Sequence, residues 1–364
     1  MSPTPTTPTT PLSPQDLQAA ARQRLDPAVY DFYAGGADGE VTVRANEAAF
    51  ARIGLVPRVL CGHPSRDLGI DLLGRHAELP VLIAPTAFHR LAHPDGELAT
   101  AQAAAKSGAI MIVSMASTTG IEEIAAAGAG LWFQLYVQPD RAFTEMVLRR
   151  AEDAGCSALV VTVDSAAFGH RERDERNGFH ELPPGLCCEN MRDPDDGGQP
   201  RQIAFSPGLS WSDIAWLRGR TGLPIVLKGI AHPHDARLAV DRGVDAIVVS
   251  NHGGRQLDTM PASIELLPAV AAAVGRRIPV LLDGGVRRGT DVVKALALGA
   301  DAVAIGRPVL WGLAVGGADG VLGVLQGLRA DLDRTLALCG CRSPRAVTRD
   351  LVRLPGTPGT VQGC

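Results

Sequence analysis

Residues 245–258, DAIVVSNHGGRQLD, join a short apolar run to a polar turn. The β-branched run at 246–249 predicts a strand buried on both faces, and Gly253 and Gly254 let the backbone turn after it. Histidine is the side chain that most readily acts as a base near neutral pH, which makes His252 a candidate base. The guanidinium of Arg255 can bind a carboxylate through two parallel hydrogen bonds. A base beside an anion-binding arginine favours removal of a proton from the carbon next to a substrate carboxylate. The alternative is that His252 caps the strand and Arg255 makes a surface ion pair.

The same rhythm of an apolar run followed by an Ala-rich segment repeats along the chain. The predicted strands are 80–84, 109–114, 131–136, 158–163, 224–228, 246–250, 279–283 and 302–306. The predicted helices are 96–107, 121–127, 140–154, 233–242, 264–274 and 289–298. Several of these helices end at a glycine just before the next strand, as βα units commonly do. Eight such units predict an α/β protein with a (β/α)8 TIM barrel, and a doubly wound sheet is the rival.

The regions outside this rhythm divide the chain further. Residues 1–14 are rich in Thr and Pro and predict a disordered tail, and residues 351–364 predict a C-terminal tail. The barrel domain is expected over 15–350, with one or two short helices before Phe32 and another over 41–53. The polar stretch 172–210 after the fourth strand is a long lid loop, either mobile or disordered.

Composition excludes several function classes. The net charge of -4 and a pI of about 6.1 give no reason to expect a nucleic-acid partner. No apolar run reaches the ~18 residues that span a bilayer, so we expect no membrane partner. The seven cysteines are scattered without zinc-site spacing, which predicts free thiols, no metal site and a cytoplasmic location.

Polar residues and glycines collect where the predicted strands end, which in a barrel is the active-site face. These positions are Ala84, Pro85, Thr86, Ala87, Ser114, Gln134, Tyr136, Thr162, Asp164, Lys228, Ser250, His252, Asp283, Gly284, Gly285, Arg287, Gly306 and Arg307. The last two mouths, DGGVRRG and IGRP, pair glycines with arginines where barrels commonly hold a phosphate. Lys228 is either an ion-paired core lysine or a cation directed at a cofactor.

Several motifs together resemble the FMN-dependent 2-hydroxy-acid oxidases and dehydrogenases, which include glycolate, lactate and mandelate oxidases. The motifs are APTA (84–87), HPDGE (93–97), FQLY (133–136), TVD (162–164), LPIVLKG (223–229), SNHGGRQLD (250–258), DGGVRRGTDVVKALALGA (283–300) and IGRP (305–308). The likeness runs from about Val29 to Ser343. It implies a barrel that holds FMN at the strand mouths.

The resemblance also implies roles for individual residues. His252 would be the base, Asp164 would orient it, and Tyr136 would donate a hydrogen bond to the substrate. Arg255 and Arg171 would grip the substrate carboxylate, although Arg171 by its own sequence context would be a solvated lid charge. The FMN-binding set would be Pro85, Thr86, Ala87, Ser114, Gln134, Thr162, Lys228, Ser250, Asp283, Gly284, Gly285, Arg287, Gly306 and Arg307.

Two substrate-site positions depart from the family pattern. The N-terminal motif reads VYDFY, so Phe32 stands where many members have a tyrosine whose hydroxyl binds the carboxylate. Losing that hydrogen bond costs about 1–3 kcal/mol. Ala116 stands where glycolate-type members have a tryptophan. Both changes make the pocket more apolar and roomier, so we expect a bulky or aromatic (S)-2-hydroxy acid that resembles mandelate.

The resemblance leaves the electron acceptor and the assembly as expectations. With Ala87 after the APT triplet and a polar lid, O2 is the expected acceptor, giving H2O2; another acceptor, as in a dehydrogenase, is the alternative. The family also implies a homotetramer or homo-octamer. Rival interpretations are another FMN barrel enzyme, such as type 2 isopentenyl diphosphate isomerase or an inosinate-type dehydrogenase, and a flavin-binding protein that has lost catalysis.

Overall fold

A computed structural model describes residues 13–355, and its centre is a closed barrel of eight parallel strands. In chain order the barrel strands are β1 (Val81–Ile83), β2 (Ile110–Ser114), β3 (Gly130–Leu135), β4 (Leu159–Thr162), β5 (Ile225–Ile230), β6 (Ala246–Val249), β7 (Val280–Asp283) and β8 (Ala302–Ile305). Each strand pairs with the next along the chain, and β8 pairs with β1. All eight predicted strands and the (β/α)8 prediction are therefore confirmed.

The strands are buried on both faces, as their apolar runs predicted. Alternate residues such as Leu82, Ile112 and Trp132 point into the barrel, while their neighbours pack outward against the helices. A short antiparallel hairpin, Ile70–Leu72 with Arg75–Ala77, places Ile70 and Leu72 in the same inner cluster as those side chains. This apolar filling makes the barrel interior a packed core and leaves the strand mouths as the place for a site.

Twelve helices surround the barrel or precede it in the described residues. They are α1 (Pro14–Arg24), α2 (Pro27–Ala34), α3 (Val41–Ala51), α4 (Gly96–Ser107), α5 (Ile121–Ala125), α6 (Arg141–Asp153), α7 (Glu172–Arg176), α8 (Trp211–Arg218), α9 (Pro233–Asp241), α10 (Ser263–Val274), α11 (Gly289–Ala297) and α12 (Arg307–Cys339). The predicted helix-ending glycines are confirmed: Gly108, Gly155, Gly243 and Gly299 all have positive φ.

The last helix, α12, is longer than any element that the sequence predicted. Its 33 residues include a break at Gly316 and Gly317, where the backbone leaves helical geometry. The helix is long and apolar enough to cross a membrane by length and composition, but half of its most apolar window is buried inside the fold. It packs against α1, α4 and α11, so its apolar face has partners within the chain.

The lid over 172–210 contains more structure than the predicted irregular loop. Helix α7 opens it, and Arg192–Asp193 pairs with Gln199–Pro200 in a two-stranded ribbon. The side chain of Arg173 joins α7 to the N-terminal segment through ion pairs of 3.0 Å with Asp31 and 2.6 Å with Glu40. The lid therefore lies against the segment that contains Phe32.

Both predicted tails extend mostly beyond the described residues. Residues 1–12 and 356–364 lie outside them, while Ser13 already caps α1 through a bond from the Asp16 amide. At the other end, Val352–Arg353 forms a two-stranded pair with Gly54–Leu55, and both Leu351 and Val352 are buried. The start of the predicted C-terminal tail is thus part of the packed fold.

Candidate active site

A cavity of about 1040 Å³ opens at the C-terminal mouths of the barrel strands. Most of the predicted site residues line it: Phe32, Pro85, Thr86, Ala87, Ser114, Ala116, Tyr136, Arg171, Lys228, His252, Arg255, Asp283, Gly284, Gly285, Arg287, Gly306 and Arg307. Three others hydrogen-bond to lining residues, namely Asp164, Gln134 and Ser250, and the fourth, Thr162, accepts a hydrogen bond from Gln134. The structure therefore brings the whole predicted set together.

His252 sits directly after β6 and is held against Asp164. Its Nδ1 lies 2.9 Å from Oδ1 of Asp164, and its backbone amide donates to Oγ of Ser250. Burial lowers the pKa of His252 below its usual value, and the charge of Asp164 opposes that shift. The imidazole is thus kept neutral and oriented, with Nδ1 engaged and Nε2 left as the nitrogen for a substrate proton.

Asp164 stays ionised although it is buried. Burial alone would raise the pKa of its carboxyl, but the attraction of His252 and the hydrogen bond to it hold that pKa below its usual value. The second carboxylate oxygen, Oδ2, is buried without a hydrogen-bond partner among residues 13–355. Such a carboxylate stabilises a positive charge on His252 once a proton arrives.

The turn after β6 explains the two adjacent glycines. His252 itself has a φ of +57°, a rare conformation for a residue with a side chain, and Gly253 and Gly254 follow with φ of +65° and +77°. A Cβ at Gly254 would lie 2.7 Å from the backbone nitrogen of Val43 in α3. The glycines therefore permit a tight turn packed against α3, which aims His252 into the cavity.

Arg255 leaves this turn and is positioned by the N-terminal segment. Its Nη1 donates to the carbonyl oxygens of Phe32 at 2.5 Å and Gly35 at 3.2 Å, and the guanidinium lies 4.9 Å from the centre of the Phe32 ring. Burial lowers the pKa of Arg255 from its usual value. Within the described residues no carboxylate comes within 4.0 Å of it. The arrangement leaves Arg255 free to receive an anion.

Arg171 is buried, which corrects the expectation of a solvated lid charge. Its side chain is 11% exposed, its guanidinium lies 4.2 Å from the centre of the Phe168 ring, and Asp174 is 3.8 Å away. Its Nε has no hydrogen-bond partner in residues 13–355. Burial and the nearby charge of Arg255 lower the pKa of Arg171 to about 9. Two poorly neutralised arginines thus face one cavity.

Lys228 is ion-paired, as one interpretation of the sequence predicted, and its role toward a cofactor stays a prediction. Its Nζ lies 3.1 Å from Asp283 Oδ2 and donates to Ser250 Oγ at 3.1 Å, so it is an ion-paired lysine. It also lines the cavity beside His252. Burial alone would lower the pKa of Lys228, but the negative charges of Asp283 and Asp164 outweigh burial and raise that pKa above its usual value. Lys228 therefore keeps a positive charge in the cavity.

Two further arginines, Arg307 and Arg287, line the same cavity. Arg307 donates to the carbonyl oxygens of Tyr33, Gly253 and Gly35, and burial lowers its pKa to about 9. Arg287 contacts Glu47 at 2.7 Å. Gly285 also permits close packing, since a Cβ there would lie 2.1 Å from the carbonyl oxygen of Asn46.

These features fit a flavin mononucleotide. Arg287 and Arg307 would suit its phosphate, and Lys228 would suit a ring oxygen on which negative charge develops. Asp283 Oδ1 is buried without a hydrogen-bond partner in the described part of the chain, which suits a hydroxyl donor of the ribityl chain. Ser114, Gln134 and Thr162 form a hydrogen-bonded row at the ends of β2, β3 and β4, and their polar groups would suit the flavin ring.

The sequence did not reveal an aromatic lining. The ring of Phe32 lies 5.6 Å from that of Phe88 and 5.0 Å from that of Phe179, while Phe205 contacts both Tyr136 and Phe168. Phe88 also has a φ of +63°, with its amide bonded to the carbonyl of Ala116. These residues are far apart in the chain and follow no period, so only the fold brings them together.

Comparisons with known proteins agree with this geometry. A model of the FMN-dependent dehydrogenase family matches residues 21–354. Glycolate oxidase 1 of Oryza sativa subsp. indica is 47% identical over 345 residues, covering 92% of this chain and 93% of that relative. L-lactate oxidase of a Nostoc species is 46% identical over 355 residues, covering 93% and 97%.

Solved structures give the same result. A crystal structure of mandelate oxidase matches with a TM-score of 0.88 and 45% identity, covering 94% of this chain and 98% of that chain. A structure of mandelate oxidase with (S)-2-phenylpropionate matches with a TM-score of 0.88 and 44% identity over the same shares of both chains.

Arg287 and Arg288 form a matched pair for testing the phosphate end of the site. Arg287 lines the cavity, whereas the neighbouring Arg288 points to Gln15 and does not. We expect Arg287→Leu to raise the Kd for FMN about 10- to 100-fold, since a charge-assisted hydrogen bond is lost, and Arg288→Leu to change it less than twofold. Quenching of FMN fluorescence on binding measures both. Equal effects of the two substitutions would contradict the assignment.

Proposed function

Since the chain belongs to the FMN-dependent 2-hydroxy-acid oxidases, we propose that it oxidises an (S)-2-hydroxy acid with a bulky or aromatic side chain to the 2-oxo acid. In this proposal O2 accepts the electrons and becomes H2O2. The observation that carries the proposal is the buried His252–Asp164 pair beside two arginines that have no close carboxylate hydrogen bond.

The arginines bind and orient the substrate. Its carboxylate lies between Arg255 and Arg171, where burial makes each charge interaction stronger than in water. Ring contacts with Phe32 and Phe168 hold the two guanidinium groups in place. This grip places the hydroxyl-bearing carbon at the cavity floor, within reach of the residues that follow β3 and β6.

His252 is the base of the proposed reaction. Nε2 takes a proton either from the carbon or from the hydroxyl, and Asp164 stabilises the imidazolium that results. The hydroxyl of Tyr136 keeps its own proton, because burial and the charge of Asp164 raise its pKa to about 12, so it donates a hydrogen bond to the substrate oxygen. Bound FMN accepts the two electrons.

The preference for a bulky substrate rests on the shape and polarity of the cavity. Phe32 has no hydroxyl and packs among other aromatic rings, and Ala116 leaves space at the mouth of β2. The cavity of about 1040 Å³ also extends under the apolar lid residues Leu182, Leu186 and Ile203. A small, fully polar side chain would leave these apolar surfaces without a partner.

The proposal of O2 as acceptor rests on two observations. Ala87 lines the cavity directly after the APT triplet. The relatives named above are all oxidases. Another electron acceptor is the competing proposal, and reoxidation of the flavin in air separates the two.

Stopped-flow spectroscopy of the flavin tests the substrate and the acceptor together. Mixed without oxygen, (S)-mandelate should bleach the oxidised flavin at least tenfold faster than glycolate at equal concentration, because only mandelate fills the apolar space. Admission of air should restore the absorbance. Faster bleaching by glycolate would contradict the substrate proposal, and bleaching without recovery in air would contradict O2 as acceptor.

The pH profile of Asp164→Asn tests the role of the carboxylate. Asp164 raises the pKa of His252, so a neutral amide should lower that pKa further. Because the base must be unprotonated, the acid limb of kcat/KM should move to lower pH. The rate of flavin reduction should fall about 10- to 100-fold as the imidazolium loses its counter-charge.

Asp174→Asn is the control for that pH profile. The substitution removes a carboxylate that lines the same cavity. This carboxylate pairs with Arg171 and does not contact His252. The acid limb should stay in place in this variant, whatever happens to KM. An unchanged acid limb in Asp164→Asn, or an equal shift in both variants, would contradict the coupling between Asp164 and His252.

A further inference from the structure

Phe205 connects the lid to the substrate-binding end of the cavity. It belongs to the lid segment before α8, and its ring is half-buried and lines the cavity. The ring meets that of Tyr136 edge-on, with centroids 5.1 Å apart at an interplanar angle of 85°. It meets Phe168 in a tilted contact at 5.6 Å and 37°. Phe205 is therefore the lid's aromatic contact with two elements of the site.

Phe168 extends this contact to the carboxylate-binding arginine. The guanidinium of Arg171 lies 4.2 Å from the centre of the Phe168 ring, whose other neighbour is Phe205. Phe168 itself is 60% exposed, so its position depends on these two contacts more than on burial. Tyr136, Phe205 and Phe168 thus form one continuous aromatic wall, which we call the outer wall.

The outer wall stands beside the position where the pocket is enlarged. Ala116 follows β2 and Tyr136 follows β3, two strands that pair side by side, and both residues line the cavity together with Phe205. The small side chain of Ala116 therefore faces a cavity whose lining also includes the rings of Tyr136 and Phe205. Phe179 lines this cavity as well, and its ring packs on Phe32.

We propose that Phe205 is a specificity-determining residue that selects 2-hydroxy acids with an aromatic ring in the side chain. The substrate ring lies over Ala116 and packs against Phe205 and Tyr136, while the carboxylate is held by Arg171 and Arg255. Aromatic pairs favour tilted and edge-on contacts of the kind that Phe205 already makes with its neighbours. The inference rests on the proposed function, because it names the side chain that this site accepts.

The test compares two substrates in matched variants of the FMN-loaded enzyme. In Phe205→Leu, kcat/KM with (S)-mandelate should fall roughly fivefold, while kcat/KM with (S)-lactate changes less than twofold, because only mandelate loses a ring contact. Phe205→Tyr retains the ring and should keep the wild-type ratio of the two constants.

The possible results separate the role of Phe205 from the proposed function. An unchanged mandelate-to-lactate ratio in Phe205→Leu, with wild type preferring mandelate, would overturn the role of Phe205 and leave the proposed function standing. An equal fall with both substrates would show that Phe205 only supports Arg171 and the lid, which also overturns selectivity. A wild type without any preference for mandelate would overturn the aromatic substrate and the role of Phe205 together. Flavin content of each variant confirms that the barrel has folded.

Discussion

The hydrogen bond between His252 and Asp164 is the interaction around which the site is built. It joins the mouths of β4 and β6, and it requires His252 to hold a left-handed backbone conformation that most residues avoid. The following glycines make that conformation possible by letting α3 approach the turn. The fold thus stabilises the strained backbone of His252, and this keeps the neutral imidazole beside the ionised carboxylate of Asp164.

Charge balance around this pair leaves the cavity with positive charges that are not neutralised. Lys228 and Asp283 neutralise each other, whereas Arg255, Arg171 and Arg307 have no carboxylate within hydrogen-bonding distance in residues 13–355. Burying such arginines costs free energy unless an anion joins them. A substrate carboxylate and a cofactor phosphate meet that need, which links the electrostatics of the cavity to its chemistry.

The sequence predicted the barrel and its mouths because both follow from local patterns. Apolar runs, helix-ending glycines and polar strand ends are each recognised from a few consecutive residues. Parallel strands then place the polar strand ends on one face of the barrel. Burial of Arg171, the aromatic outer wall and the full length of α12 were not predictable in this way. Phe168 and Phe205 meet only because the lid folds back over the cavity, and no spacing in the chain records that contact.

The central claim is that His252 is the base, and His252→Asn tests it most directly, since asparagine tolerates the left-handed backbone better than most residues with a side chain. The rate of flavin bleaching by (S)-mandelate without oxygen is compared with that of wild type, at equal FMN content. The account predicts a fall of about 10²- to 10⁴-fold with FMN still bound. Bleaching at the wild-type rate in the substituted protein would contradict it.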